Sequence, residues 1–280
     1  MNVLELSILL VLVSLLAGFL GALTGLGGGA VIVPVLTLAF HVDMRYAIGA
    51  SLVSVIATSS GAAAAFVREG FTNLRIGMLL EIGTTLGALG GAALAAVAPT
   101  QALAIVFGLA LLHSAYLNTR PQQDRTDFGG SPDRLATKLR LDGTYPAADG
   151  SIRPYHVRRV PLGFLVMGLA GVLSGLLGIG SGAIKVLAMD RAMRLPFKVS
   201  TTTSNFMIGV TAAASAGVYL RRGYVDPGLA MPIVLGVLAG SMFGARILRA
   251  TQSRVLRQIF AVVLALLGLQ MLVNGLRGGM

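Results

Sequence analysis

The chain has 280 residues, of which 55% are hydrophobic and only 12% charged, with a mean hydropathy of +0.82. A soluble domain carries roughly 25% charged residues, so about half the expected charge is missing and lipid is the solvent that fits. The lack of cysteine excludes disulfides, thiolate metal sites and cysteine nucleophiles; the net charge of +11 does not mark a nucleic-acid binder, because the basic residues lie in loops between apolar runs rather than along one face.

Eight apolar runs approach or exceed the ~20 residues that cross a bilayer core. The first, 3–23, lacks the basic start and the cleavage site of a signal peptide, and is expected to be a retained helix. Gly25-Leu26-Gly27-Gly28-Gly29 follows it and leads into a short apolar segment, 30–40. Run 47–67 opens with Ala47-Ile48-Gly49-Ala50-Ser51 and continues through Ser54, Thr58, Ser59 and Ser60. Run 74–97 carries a carboxylate, Glu81, about two turns in, and 102–117 completes the first set. The polar stretch 119–160 holds eight basic and five acidic residues. Its first part reads as a linker, and the alternation in 138–145 and 151–157 reads as a small β-hairpin. Run 161–177 then meets a second cluster, Gly178-Ile179-Gly180-Ser181-Gly182, and a short segment 183–195 containing Lys185. Ser200-Thr201-Thr202-Thr203-Ser204-Asn205 opens run 200–220, and runs 228–248 and 255–276 complete the chain.

The second set repeats the first. Shifting 18–92 by 153 positions lays it without a gap on 171–245, with 19 of 75 columns identical, including both glycine clusters and the helix glycines Gly83, Gly87 and Gly91 over Gly236, Gly240 and Gly244. The chain therefore divides into a first transmembrane repeat, 1–118, a cytoplasmic linker, 119–160, and a second repeat, 161–280. If the glycines turn the chain back in both halves, 17 Lys and Arg fall on one side and four on the other; if they only kink it, the split is 13 to eight. The excess of positive charge expected in cytoplasmic loops favours the first arrangement. The expected fold is an all-α polytopic membrane protein of two inverted-topology repeats, each of about four long helices plus a short re-entrant helix after the glycine motif. Duplicated halves with paired helix breaks are a signature of secondary transporters.

Chemistry points the same way. Glycine permits a break inside the membrane, and a helix restarting there presents unpaired N–H groups and a positive dipole end that suit an anion; the alternative is close packing by small residues. The hydroxyl-rich run 200–205 caps a helix in part, and its remaining groups contact substrate or join helices. Lys185, in an apolar segment, either attracts an anion or snorkels to an interface. Glu81 either carries protons or makes a buried structural hydrogen bond. No zinc, nucleophile-elbow or ATP-binding motif is present, so an enzyme is not expected and ion gradients are the expected energy source.

The runs Gly25-Leu26-Gly27-Gly28-Gly29-Ala30-Val31-Ile32-Val33-Pro34, Gly175 through Gly182 and Phe197 through Asn205 resemble the paired motifs of the TauE/SafE sulfite exporter family of bacterial-type membrane transporters. The resemblance implies ion-coupled movement of small sulfur-containing anions such as sulfite, sulfoacetate or related organosulfonates across the cell membrane. By motif position it places Gly27, Gly28, Gly29, Gly180, Ser181, Gly182, Ser204 and Asn205 at the site. Thr203, Ser51 and Lys185 are expected beside them from their own chemistry, with Glu81 for proton coupling. The expected partners are a small anion and membrane lipid, without nucleic acid, cofactor or metal. An anion channel of this architecture, or a scaffold acting through 119–160, are the competing readings.

Overall fold

In the computed structural model, residues 3–24, 28–68, 71–119, 133–146, 151–250 and 254–278 are described. The first half comprises α1 (Val3–Thr24), α2 (Gly29–Leu38), α3 (Met44–Arg68), α4 (Leu74–Val97) and α5 (Thr100–Thr119). A short helix, α6 (Arg134–Lys138), and two strands, β1 (Gly143–Pro146) and β2 (Ile152–Tyr155), follow. The second half comprises α7 (Val160–Leu177), α8 (Gly182–Leu187), a π-helical turn (Ala188–Ala192), α9 (Phe197–Arg221), α10 (Pro227–Ala250) and α11 (Arg254–Arg277). Local chemistry sets several of these bounds. The Asn73 side chain accepts the Ile76 N–H and starts α4, and the left-handed Gly178 ends α7 with its N–H on Ser174 O. The second short segment differs from the expected 183–195, because the α-helix lasts six residues before widening into the π-helical turn.

Six helices, α1, α4, α5, α7, α10 and α11, are long and apolar enough to cross a membrane. They expose large apolar side chains outward, among them Leu12, Leu86, Leu165, Leu235 and Leu266, which is the surface lipid requires. The remaining long helices, α3 and α9, have 25 residues each. They carry most of the buried hydroxyls and pack against one another, α10 lying on α3 and α4 on α9.

Glycines set the closest helix crossings. A Cβ on Gly87 of α4 would collide with Gly168 O and Val172 N of α7, and one on Gly240 of α10 would collide with Leu15 O and Phe19 N of α1. Adding 153 to 87, 15 and 19 gives 240, 168 and 172, so the two crossings are the same contact made twice. Gly83 against Phe164 O and Gly236 against Val11 O extend the match. In both crossings the register climbs together, so α4 runs parallel to α7 and α1 to α10. Helices in corresponding positions oppose each other instead. Gly49 of α3 lies against Tyr224, just beyond α9, while Gly209 of α9 lies against Ser59, so α3 and α9 are antiparallel. Likewise Gly108 of α5 lies by Gly268 and Leu272 of α11, and Gly275 by Gln101 and Ala104.

The strands pair antiparallel, with Gly143 opposite Tyr155 and Tyr145 opposite Arg153. A pair of strands is marginal alone, and here it is docked. Leu141, Tyr155 and Val157 are buried in a second apolar cluster with Ile76 and Leu80 of α4, Met189 and Met193 around the π-helical turn, and Val199 of α9. Asn73 Nδ2 donates to Tyr155 Oη at 2.7 Å and to Leu141 O at 3.1 Å. Arg158 N–H donates to Met193 O at 3.1 Å. Arg75, Arg140, Arg158, Arg191 and Arg194 belong to this end of the bundle, and Arg45, Arg221 and Arg222 to the other.

Candidate functional site

In the second half the helix break is imposed by the backbone. Gly178, Gly180 and Ser181 have φ of 70°, 71° and 47°, left-handed values that an α-helix cannot continue through. The first N–H groups of the restarted α8 that meet a backbone acceptor are those of Ile184 and Lys185, both on Ser181 O at 3.1 Å. In the first half Gly28 opens α2, its carbonyl accepting from Val31 and Ile32 at 3.1 and 3.2 Å. A Cβ on Gly28 would lie 3.5 Å from Ala17 O and Gly18 N, so the chain has doubled back along α1. Gly27 lies outside the described residues.

The two breaks meet. A Cβ on Gly29 would stand 2.5 Å from Ser51 Oγ, 2.7 Å from Gly178 O and 2.9 Å from Val55 Cγ2, which leaves room only for glycine. Ser51 of α3 donates to Gly178 O at 2.8 Å. Its repeat counterpart, Ser204 of α9, donates to Gly182 O at 3.3 Å. Gly180 is held between Ile208 of α9 and Val55 of α3. Thr203 turns elsewhere, accepting the Asn73 N–H at 3.1 Å and tying α9 to the start of α4. Asn205 is half-buried and has no hydrogen-bond partner among the described residues. The expectation that the hydroxyl run caps its helix is corrected. Helix α9 begins at Phe197 after Pro196, with no side-chain cap, so the run lies inside it, and Thr201 and Thr202 bond carbonyls of their own helix.

A cavity of about 260 Å³ borders the convergence. One wall is α5, with Val106, Leu109, Ala110, His113 and Ser114; the other is the second break, with Ile179, Ser181, Gly182 and Ile184, and Ala30 of α2 lies at its edge. The lining is mostly hydrocarbon. Ser181 is 3% exposed and its Oγ has no partner among the described residues, so it retains a free donor and acceptor beside the space.

The two intramembrane charges sit on the opposite face of α8. Lys185 is fully buried and its Nζ donates to Thr211 Oγ1 of α9 at 2.5 Å. The Thr211 hydroxyl lies 2.7 Å from Glu81 Oε1 of α4, which also accepts from Thr85 at 3.2 Å. A hydroxyl has one proton, so with Lys185 donating to it, Thr211 donates onward to the carboxylate. Glu81 Oε2 is buried without a partner among the described residues. Lys185 therefore turns away from the cavity, and its buried counter-charge is Glu81 of the other half. Sequence reasoning missed Thr211. Its one signal was identity with Thr58 at the repeat offset. The counterparts of the two charges are Ile32 and Val234, so the charged network joins the two halves once and has no repeat-related copy.

Matched helical halves, six apolar spans and broken helices meeting beside a cavity define the class: a polytopic membrane transporter. The sequence profile of the family described as "Sulfite exporter TauE/SafE" matches residues 10–271, and the chain belongs to that family. It is 29% identical over 278 residues to the "Probable membrane transporter protein YunE" of Bacillus subtilis, covering 96% of this chain and 98% of that one. It is 27% identical over 265 residues to YdhB of the same organism, described in the same words, covering 94% and 99%. A "Probable membrane transporter protein" of Xylella fastidiosa is 25% identical over 251 residues, covering 89% and 88%. No solved structure matches the chain. The protein is a multi-pass cell membrane transporter and not an enzyme.

Proposed function

We propose that this transporter moves a small sulfur-containing anion, with sulfite, sulfoacetate and related organosulfonates as the class, through a site at the meeting of the two glycine breaks. The observation that carries the reading is Gly29 against Gly178 O, with Ser51 bonded to that same carbonyl. It joins the two re-entrant segments at one point beside a cavity, the arrangement from which alternating access works. The predominantly hydrocarbon walls favour a solute with a short alkyl portion, the sulfonate head meeting Ser181, the N–H groups of the break and His113. In the bilayer the halves are inverted, with the hairpin end cytoplasmic. The antiparallel relation of corresponding helices and the charges of residues 119–160 support this.

A thermal-shift screen of sulfite, sulfate, thiosulfate and ethanesulfonate tests the substrate class, since a ligand stabilises the state that binds it. Ethanesulfonate or sulfite is expected to raise the melting temperature most. Proteoliposome uptake should saturate and follow an imposed gradient; flux linear in concentration would make the protein a channel instead.

A further inference from the structure

We propose that Lys185 joins anion binding at the glycine breaks to proton uptake by Glu81, so that one proton accompanies each monovalent anion. The inference rests on the transport reading above and adds its coupling.

Ser181, just before α8, and Gly182 and Ile184 within it face the cavity, while Lys185 turns to Thr211, so the backbone of one helical turn separates the ammonium from the solute. Among the described residues, the one hydrogen-bond partner of that ammonium, Thr211, is shared with Glu81. Two of the three ammonium hydrogens and one carboxylate oxygen, Oε2, have no partner among the described residues. A proton arriving from solution can settle on Oε2 without breaking a hydrogen bond, because Oε1 keeps Thr211 and Thr85.

Charge balance then decides which states are populated. With the cavity empty and Glu81 ionised, Lys185 and Glu81 cancel. An anion alone leaves one negative charge in excess, and a proton alone leaves the buried ammonium unbalanced; both are costly in a low dielectric. An anion and a proton together restore neutrality, with Lys185 opposite the anion and Glu81 a neutral acid. Each event therefore promotes the other, and by linkage the promotion is reciprocal. No other charge on the neighbouring elements can take the part. Helix α7 has no ionisable residue, and those of α9 (Lys198, Tyr219 and Arg221) lie toward its ends. Asp190 and Arg191 belong to the π-helical turn and Arg75 to the first turn of α4, both at the hairpin end. His113 faces the cavity from α5 and its imidazole can also accept a proton, so the experiment must separate it from Glu81.

The probe is ethanesulfonate, whose single charge is fixed over the working pH range, titrated calorimetrically into the full chain in lipid nanodiscs with buffers of different ionisation heat. The wild type should take up one proton per anion, its affinity falling about tenfold per pH unit once Glu81 is ionised. Glu81→Gln should bind with no proton uptake and no pH dependence, and His113→Gln should leave the uptake intact. Lys185→Met should lose at least tenfold in affinity together with the uptake. Should that variant not fold, the neutral double variant Glu81→Gln/Lys185→Met is expected to fold and to bind weakly at every pH. Wild-type binding without proton uptake, or uptake that survives Glu81→Gln, overturns the coupling and leaves the transport reading standing. Absence of ethanesulfonate binding at every pH overturns both.

Discussion

Gly29 and Gly28 are adjacent and look equivalent in the sequence, yet they differ in what surrounds them. A methyl group on Gly29 meets Ser51 Oγ at 2.5 Å and Gly178 O at 2.7 Å, whereas on Gly28 the nearest atoms are at 3.5 Å and the backbone is helical. Gly29→Ala is therefore expected to cost about 1–3 kcal/mol by overpacking and to abolish uptake, while Gly28→Ala stays near wild type in both melting temperature and flux. The charged pair gives a second residue-scale test. Lys185→Met alone leaves a buried carboxylate unmatched and should destabilise by about 3–5 kcal/mol. Adding Glu81→Gln should recover most of that loss in thermal unfolding; no recovery would mean the two side chains do not balance each other. Both charges stand out in the sequence as ionisable groups in apolar runs. Their association does not, because they belong to different halves and the group that joins them, Thr211, is an ordinary hydroxyl in an apolar helix.

Helix pairs show what a repeat offset can reveal and what it cannot. The glycines at 83, 87, 236 and 240 are visible as matched columns, but only packing shows that α4 meets α7 rather than its chain neighbour α5, and that α1 meets α10. Because Gly87 and Gly240 make the same contact twice, Gly87→Val and Gly240→Val should destabilise similarly, each by several degrees in melting temperature; a large disparity would mean that one crossing is dispensable. The hairpin was readable in part from the alternation in 138–145 and 151–157: β2 lies within the second range, but Lys138 ends α6 and β1 starts only at Gly143. The hairpin's anchorage was not readable, since that depends on Asn73, a capping residue far away in sequence. Desolvation pushes the Tyr155 hydroxyl's pKa above its ordinary value, an effect that the Asn73 hydrogen bond partly offsets. An acid whose folded pKa is raised contributes stability fully present below its unfolded pKa, about 10, and lost as pH rises from there through the higher folded value. Proteolysis within 133–160 should therefore accelerate above about pH 10 in the wild type. Tyr155→Phe should lose about 1 kcal/mol of anchorage at neutral pH and show no such acceleration from ionisation at this position.

At the scale of the molecule, a single constant offset through helices and loops alike made the division into halves legible. Hydropathy alone would have counted the centre as two more spans, since runs 47–67 and 200–220 are apolar like the outer helices; it does not show that α3 and α9 turn their hydroxyls inward against one another. Reporter fusions after Arg194 and Arg222 are expected on opposite sides of the membrane, with Arg194 cytoplasmic; the same location for both would exclude inverted halves. The docked hairpin has a mechanical corollary. It braces α4, α9 and the π-helical turn at one end of a bundle whose halves otherwise mirror each other, so a seesaw balanced by duplication carries a weight on one arm. Under the proposed alternating access, the two strokes are then expected to have unequal barriers, with a resting posture set by the tyrosine and methionine side chains buried beneath the hairpin.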